Sequence, residues 1–342
     1  VYKDYDACFS FSQTLHKLLA AQLISSDQDN TCTCSVATMK LDIVARSGRT
    51  LTTLDVNPDS TVAELKKKFH IFSRKYYPAR QRLTLPVKPG EKRGTVLDDS
   101  KRLSDYGLTD GSKLEFKDLG PQIGYSTVFF WEYFGPLVVY PLFFFLPKYL
   151  YPHLKTPAQH HLVQKLAVGY WCLHYSKRII ETFTVHRFGH ATMPIFNLFK
   201  NCAYYWGYAA FVSYFVNHPL YTPPNEKISM ACLGLALVAQ LGNLKSHLIL
   251  ANLRAPGEKD YKIPRGGLFN FVTCANYTFE IWGWLLFSLA VQSVPAYAFM
   301  ITGALQMTQW AIAKHNRLRK TFDGKDGRPK YPRRWIIFPP FL

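Results

Sequence analysis

The chain has 342 residues, enough for two domains, and 48% of them are hydrophobic. Its formal net charge is +18, from 41 Lys and Arg against 23 Asp and Glu, but no RNA-binding motif, zinc-finger spacing or basic heptad region accompanies this charge. We therefore do not expect a nucleic-acid-binding protein. The 7 cysteines are odd in number, which argues against a secreted disulfide framework. Cys32 and Cys34 have no further Cys or His nearby and are interpreted as ordinary thiols, and no metal site is predicted.

The first third of the chain is polar and divides into two parts. Residues 1–38 contain a segment that suits a short amphipathic helix, residues 8–24, followed by a linker. No function is assigned to this extension. From residue 39 the pattern changes, because MKLDIVARSG and RTLTTLDV alternate apolar and polar residues around a Ser-Gly turn. This alternation predicts a β-hairpin.

A helix and further short strands are predicted after the hairpin. TVAE at residues 61–64 is a capping box, and Val62, Leu65 and Phe69 follow at helical spacing. RQRLTLPV, TVLDD and SKLEFK are predicted strands, with a turn at DYGLTDGS. The stretch LSDYGLTDGSKLEF resembles the end of a ubiquitin-like β-grasp domain, which implies such a domain over residues 39–118. The chain continues through DLGPQIGY without a free diglycine end, so we expect a cytosolic docking module rather than a conjugated modifier.

The remainder, residues 119–342, is predicted to be an α-helical polytopic membrane domain. Each of six apolar segments is near the ~20 residues that a spanning helix needs. Loops on alternate sides differ in basic charge, which predicts that both termini are cytosolic. The tail segment WIIFPPFL is too short to span and is expected to lie along the interface or cap the helices. The six segments are 125–147, 160–182, 195–217, 228–252, 268–292 and 295–315.

Two of the predicted helices carry polar residues at membrane depth. At 100° per residue, Asn243, His247 and Arg254 lie within about 40° of one another on one helical face. Asn276 and Glu280 share a face of the next helix. Such residues usually line a bundle interior or a cavity, although they can also serve only as interhelical hydrogen bonds. Five of them beside a basic loop favour a functional site.

The basic loop and tail predict a phosphate-binding mouth beside this site. Clustered cations near a membrane can anchor to lipid headgroups, or they can hold a polyphosphate through charge-assisted bonds. A phosphate-binding mouth beside the deeper amides and carboxylate suits a dinucleotide. The G-x-G-x-x-G, Walker, H-E-x-x-H and G-x-S-x-G motifs are absent, so side chains from helices and loops are expected to bind it. The number of cations suggests NADPH rather than NADH. The residues of the predicted mouth are Arg254, Lys259, Lys262, Arg265, His315, Arg317, Arg319 and Arg334.

Several stretches carry a family resemblance. NLKSHLILANLRAPGEKDYKIPRGGLF and CANYTFEIWGW resemble the carboxy-terminal region of the steroid 5-alpha-reductase family. FFWEYFGPLVVYPLFF and VHRFGHATMPIFNLFKNCAYYWGYAAF resemble its very-long-chain trans-2-enoyl-CoA reductase branch, which also has an amino-terminal ubiquitin-like domain. The resemblance covers residues 39–342. It implies NADPH-dependent reduction of very-long-chain trans-2-enoyl-CoA, the last step of fatty-acid elongation, which also supplies sphingolipids. It further implies an endoplasmic reticulum membrane location and association with lipid and with other elongation enzymes.

The resemblance also implies roles for individual residues. Tyr277 matches the tyrosine favoured as proton donor in the enoyl-CoA branch. Glu132 and Tyr175 match residues that contact the substrate carbonyl in the steroid enzymes, so the proton donor can be either Tyr277 or Tyr175. Lys177 and Arg178 are then left for the phosphates of the cofactor or of CoA.

Two reservations follow from the residues themselves. His247 departs from the pattern, because the steroid enzymes carry an acidic residue four positions after the asparagine. A tyrosine near a membrane boundary is also commonly an interfacial anchor, and this chain has 21 tyrosines.

Two other functions are weighed against this one. A steroid or polyprenol double-bond reductase on the same scaffold is disfavoured by the ubiquitin-like segment and by FGHATMP. A non-enzymatic membrane adaptor is disfavoured by the polar stripes, since an adaptor needs no buried Glu or Asn.

Overall fold

The computed structural model describes residues 38–87, 89–90, 94–154, 159–189, 191–253, 255 and 261–340. The predicted helix at residues 8–24, the two cysteines Cys32 and Cys34, and the predicted site residues Arg254 and Lys259 lie outside these ranges. The chain forms two compact units, Val1–Asp118 and Leu119–Leu342.

From residue 38 on, the described part of the first unit contains a four-stranded sheet and one α-helix. In chain order the elements are β1 (Met39–Ala45), β2 (Thr50–Val56), α1 (Val62–Phe72), β3 (Gln81–Thr84) and β4 (Ser112–Asp118). The strand order is β2-β1-β4-β3, with β1 parallel to β4 and the other pairs antiparallel. The hairpin predicted from the alternating pattern is therefore confirmed.

The helix of this unit starts where the capping box predicts. Thr61 Oγ1 accepts a hydrogen bond from the Glu64 N–H at 3.3 Å, and Glu64 Oε2 accepts one from the Thr61 N–H at 2.8 Å. Val62, Leu65 and Phe69 are buried against the sheet core. Because these residues recur at helical spacing, α1 presents one apolar face to the strands.

One predicted strand is wrong. TVLDD forms a single bridge, Thr84 to Val96, rather than a strand. The backbone bonds from Leu85 to Thr95 and from Leu97 to Leu83 tie the segment to β3, but it then enters a turn in which Ser100 bonds to Asp98. This side-chain bond competes with a continuing ladder.

Six long helices make up most of the second unit in the part of the chain that the structure describes. They match the six predicted segments in order. A short antiparallel strand pair, β5 (Gln122–Gly124) and β6 (Thr192–Pro194), joins the segment before the first long helix to the loop before the third long helix. A single turn, α3 (Pro147–Leu150), follows the first helix. The long helices are α2 (Tyr125–Phe145), α4 (Leu162–Thr184), α5 (Phe196–Val216), α6 (Glu226–Asn252), α7 (Ala275–Val291) and α8 (Val294–Thr321).

Two of the six helices, α2 and α6, are long and apolar enough to cross a membrane by length and composition alone, with mean hydropathies of 1.5 and 1.4. The other four fall short for identifiable reasons. Helix α4 carries Lys177, Arg178 and Glu181 within two turns, α7 has 17 residues, and α5 and α8 are long enough but contain too many polar side chains. The predicted number of six spans therefore stays a prediction.

The fifth predicted segment begins too early. Residues 268–274 are not α-helical; a 3-10 turn, Gly267–Asn270, precedes α7. The reason lies in the tail, because the N–H groups of Thr273 and Cys274 bond to the carbonyl groups of Trp335 and Ile336. Thr278 Oγ1 also donates to the Ile337 carbonyl at 2.9 Å, and the Ile337 side chain is fully buried. The described part of the apolar tail thus caps the start of α7, which is one of the two predicted arrangements.

Close helix packing depends on two glycines. A Cβ at Gly135 on α2 would lie 1.8 Å from Trp206 Nε1 on α5, and one at Gly242 on α6 would lie 2.5 Å from the Phe279 ring on α7. Small residues at such crossings let helix backbones approach each other.

Candidate active site

The helical unit encloses one large cavity of about 870 Å³. Its walls come from all six long helices and from the loops after α4 and α6. This volume falls in the usual range for a small-molecule site. Ten of the predicted site residues line it, namely Glu132, Tyr175, Arg178, Asn243, His247, Lys262, Asn276, Tyr277, Glu280 and Arg317.

An ionic cluster links α4 to α6 at one wall. Glu181 is buried and accepts from Arg178 Nη1 at 2.9 Å and Lys177 Nζ at 3.3 Å, and its Oε1 lies 3.0 Å from His247 Nδ1. Three groups that can carry positive charge therefore share one carboxylate. A buried carboxylate of this kind is stable only when it is paired in this way.

His186, in the loop after α4, completes this cluster. Its ring lies 5.0 Å from that of His247 and edge-on to it. Burial, and then the positive charge of Arg178, lower the pKa of His186 to about 3, so its imidazole is neutral at physiological pH. Glu181, His186 and His247 have the donor types of a metal site. Because Lys177 and Arg178 already neutralise Glu181, we interpret the group as an ionic cluster.

Two asparagines connect this cluster to α7. Asn243 Oδ1 accepts from Lys177 Nζ at 2.6 Å, and Asn243 Nδ2 donates to the Asn276 carbonyl at 3.0 Å. The two predicted polar stripes therefore meet. The buried Asn276 Oδ1 has no hydrogen-bond partner among the described residues. It is an unpaired acceptor on a residue that lines the cavity.

Glu280 belongs to a second polar chain across the bundle. Gln240 Nε2 lies 2.9 Å from His174 Nδ1, and His174 Nε2 lies 3.5 Å from Glu280 Oε1. Trp284 Nε1 donates to the same carboxylate oxygen at 3.0 Å. Gln240 Nε2 as the donor to Nδ1 assigns the His174 proton to Nε2, the nitrogen next to Glu280.

Glu132 and its neighbour Tyr133 lie on α2. Asn201 Nδ2 on α5 donates to Glu132 Oε2 at 2.9 Å, which orients the carboxyl group. Arg178 Nη2 donates to the Tyr133 hydroxyl at 2.9 Å, and its guanidinium lies 5.0 Å from the centre of that ring. Arg178 thereby connects α2 to the ionic cluster.

The two candidate proton donors have different surroundings. Tyr175 is 1% exposed, and its hydroxyl has no hydrogen-bond partner in the part of the chain that the structure describes. Tyr277 is half-buried, and its ring lies 6.5 Å from that of Trp310 on α8. Both line the same cavity.

The predicted basic mouth is only partly assembled around the cavity. Lys262 and Arg317 line it, and Arg317 Nη1 donates to the Tyr261 hydroxyl at 3.1 Å. His315 and Arg334 do not line it. His315 Nδ1 lies 2.6 Å from Thr273 Oγ1, and Arg334 Nη1 donates to the Pro264 carbonyl at 2.7 Å, so both hold the tail and the loop against the bundle.

Five of the predicted cations have other positions or lie outside the described residues. Lys177 reaches the site indirectly, through Asn243. Arg265 and Arg319 are exposed and do not line the cavity. Arg254 and Lys259 lie outside the described residues.

Sequence reasoning missed several polar residues of the site. A signal was available for Glu181, which follows Lys177 and Arg178 at the i, i+4 and i, i+3 spacings of helical ion pairs. Asn201 was detectable as an amide within an apolar helix. His186 lies in a loop, so no helical spacing connects it to the site. The residues missed in this way are Tyr133, His174, Glu181, His186 and Asn201.

Two protein-family models match this chain, one in each unit. A family model described as "TECR, ubiquitin-like domain" matches residues 39–118, and one described as "3-oxo-5-alpha-steroid 4-dehydrogenase" matches residues 191–342. "Very-long-chain enoyl-CoA reductase" of Dictyostelium discoideum is 46% identical over 301 residues, covering 87% of this chain and 97% of that protein.

Animal proteins are similar over nearly the same length. "Probable very-long-chain enoyl-CoA reductase art-1" of Caenorhabditis elegans is 42% identical over 307 residues, covering 87% of this chain and 96% of that protein. "Trans-2,3-enoyl-CoA reductase-like" of Mus musculus is 36% identical over 278 residues, covering 78% of this chain and 75% of that protein. With this identity over most of its length, an amino-terminal ubiquitin-like domain and a helical membrane unit, the chain belongs to the very-long-chain enoyl-CoA reductase family.

Proposed function

We propose that this protein reduces very-long-chain trans-2-enoyl-CoA to saturated acyl-CoA, with NADPH as the reductant, as the last step of fatty-acid elongation. The names of the two relatives that cover most of the chain support the substrate class. The observation that carries the proposal is that the Tyr175 hydroxyl and Asn276 Oδ1, both buried and unpaired among the described residues, belong to one cavity with Tyr277. A buried unpaired polar group costs free energy, so a ligand that satisfies it gains affinity.

The cavity residues fit a nicotinamide dinucleotide. Asn276 Oδ1 can accept a hydrogen bond from a carboxamide N–H, and Lys262, Lys314 and Arg317 on the cavity wall suit phosphates. These cations outnumber the charges of a single pyrophosphate, which supports an additional 2′-phosphate and hence NADPH over NADH. Arg178 is less available for this purpose, because it is already paired with Glu181.

The side chains of the cavity suit the reduction of an activated double bond. A reduced nicotinamide, when bound, supplies a hydride to the β carbon of the thioester. Negative charge then develops on the thioester oxygen, and the unpaired Tyr175 hydroxyl is a suitable donor to it. In its protonated form the Glu132 carboxyl group, oriented by Asn201, can donate to that oxygen and helps to orient the carbonyl group. Tyr277 gives its hydroxyl proton to the α carbon, where the new C–H bond forms as the O–H bond breaks.

The same proposal includes the domain boundaries and the location. We propose a ubiquitin-like module at residues 39–118 and a reductase unit at residues 119–342 in the endoplasmic reticulum membrane, with both termini cytosolic. The basic wall residues then meet cytosolic NADPH and CoA. Lipid and other elongation enzymes are the proposed partners, and sphingolipid synthesis is a proposed user of the product.

The test is NADPH oxidation by the detergent-purified full-length protein. We expect turnover with a very-long-chain trans-2-enoyl-CoA and little with an enone steroid or with NADH. Preference for the steroid would overturn the substrate assignment, and equal use of NADH and NADPH would overturn the cofactor assignment.

A matched pair of variants tests the phosphate contact. Arg317→Ala should raise the KM for NADPH about ten- to a hundredfold, the value of one charge-assisted bond. Lys320→Ala is the control, since Lys320 is exposed near the end of the same helix and does not line the cavity. An increase confined to the KM for acyl-CoA would instead assign Arg317 to the CoA phosphates.

A further inference from the structure

One face of α8 changes character along its length. Six of its cavity-lining residues recur every three or four positions, which is the spacing of a single helical face. The face begins with aromatic and apolar side chains and ends with two cations. In order, these residues are Phe299, Gly303, Met307, Trp310, Lys314 and Arg317. A ligand with a charged head and an apolar tail fits a wall of this kind.

Tyr277 marks the position of the chemistry on this wall, because its ring lies next to Trp310. The cations Lys314 and Arg317 lie on one side of this position. Met307 and Gly303 lie on the other side, and Gly303 is about 10 Å farther along the helix axis than Trp310 at 1.5 Å per residue. A thioester bound at Tyr277 with its CoA toward the cations would therefore direct its acyl chain toward Gly303.

Three aromatic rings line one end of the cavity. Phe299 packs against Tyr204 and Tyr208 on α5, with ring centroids 5.9 and 5.3 Å away. One turn farther along α8, Thr302 and Gln306 line the cavity and are exposed. Tyr204 Oη on α5 lies 3.5 Å from Thr302 Oγ1 on α8, so the two helices meet at this level. The seam between α5 and α8 therefore runs along the cavity wall.

The volume of the cavity favours an acyl chain that leaves it. About 870 Å³ is the size of a site for one drug-like ligand. A dinucleotide, the adjacent part of CoA and a very long acyl chain together exceed that size. Leu305 of α8 is 62% exposed, as expected of a helix whose outer face contacts lipid in the proposed membrane. An acyl chain leaving through the seam would then pass from the cavity into lipid.

We propose that the seam between α5 and α8 is the exit for the acyl chain and that Gly303 keeps it open. This inference rests on the proposed enoyl-CoA reductase function. A Cβ at Gly303 would lie 3.3 Å from Tyr204 Oη and 3.8 Å from Met307 Cε. A larger side chain there fills the passage between these two residues. The open seam sets no upper limit on chain length, because methylene groups beyond it lie in the bilayer.

The test compares chain lengths in one variant. For Gly303→Leu, the ratio of kcat/KM for a very-long-chain trans-2-enoyl-CoA to that for trans-2-hexenoyl-CoA should fall by about tenfold or more. Displacing even two methylene groups from an apolar passage costs that much in affinity. Gly207→Leu is the control, since Gly207 is an exposed glycine within α5, and a Cβ added there would have no atom within 4 Å. The control should leave the ratio unchanged.

The outcomes distinguish failure of the proposed acyl-chain exit from failure of the proposed reductase function. An unchanged ratio in Gly303→Leu, whether both activities persist or both fall equally, overturns the exit. If that variant does not fold, Thr302→Trp decides by the same ratio, because Thr302 is exposed at the same level and tolerates bulk. Failure of the unmodified protein to reduce either thioester would instead overturn the proposed function on which the exit rests.

Discussion

In the ubiquitin-like unit the sheet and α1 enclose apolar side chains, and the buried polar residues of its described part are Lys66 and Gln81. The helical unit has an aromatic core but also buries Glu132, Glu181 and His174, whereas Phe145 and Leu241 are 69% and 68% exposed. Buried ionisable groups and exposed apolar side chains together are the distribution expected of a unit that lies in an apolar solvent. Composition averaged over the whole chain conceals this difference.

The largest expected effect tests what the polar interior does. Tyr277→Phe retains the ring and removes only the hydroxyl, so NADPH binding should persist while turnover falls about 10²- to 10⁴-fold, or roughly 3 to 5 kcal/mol. Single-turnover kinetics with purified protein measure the loss. Tyr149→Phe is the control, since Tyr149 is 79% exposed and does not line the cavity. If Tyr277→Phe is normal and Tyr175→Phe loses turnover, the proton donor is on α4.

The next largest effect is predicted for a buried ion pair of the helical unit, compared with an exposed ion pair of the first unit. Glu181→Gln leaves Lys177 and Arg178 in the bundle interior without their carboxylate, which should lower the free energy of unfolding by about 3 to 5 kcal/mol. Thermal unfolding in detergent, followed by circular dichroism, measures this change in both units. Asp59→Asn removes the partner of Arg102 in the first unit, where the two side chains are 72% and 64% exposed, and should leave the melting temperature nearly unchanged. Equal shifts would contradict the comparison.

A third prediction tests which solvent surrounds the exposed apolar residues. Leu241 lies in the middle part of α6, so Leu241→Arg should oppose membrane insertion by about 2.5 to 3.5 kcal/mol. Ile71→Arg in the first unit, where Ile71 is 78% exposed, should have no such effect. Resistance to alkaline extraction from microsomes measures the inserted fraction. Normal insertion of Leu241→Arg would mean that this face of α6 does not contact lipid.

The smallest expected effect concerns the independence of the two units. Deleting residues 1–118 removes the first compact unit and leaves every lining residue of the cavity in place. NADPH affinity, measured by fluorescence titration, should therefore be unchanged. A truncated protein that is monodisperse but no longer binds NADPH would show that the units depend on each other.

Local patterns in the chain were sufficient for the element types and for part of the site. The capping box at Thr61 and the alternation in β1 and β2 are interactions between near neighbours, so they could be read directly. Asn243 and Asn276 could be found for the same reason, because polar residues within apolar helices are conspicuous. The TVLDD segment failed as a strand because the turn at Asp98 and Ser100 competes with a ladder that propensity alone favours.

Contacts between distant segments required the tertiary structure. Thr273 and Cys274 are not α-helical because their N–H groups bond to a tail some sixty residues away, which no local pattern encodes. His247 departs from the acidic residue of the steroid enzymes, yet the fold brings the Glu181 carboxylate of another helix to within 3.0 Å of it. The sequence by itself therefore determined which residues are polar within apolar helices. Only the packing of α4 against α6 and α7 decided which of them meet, since charge pairing depends on distance in space rather than along the chain.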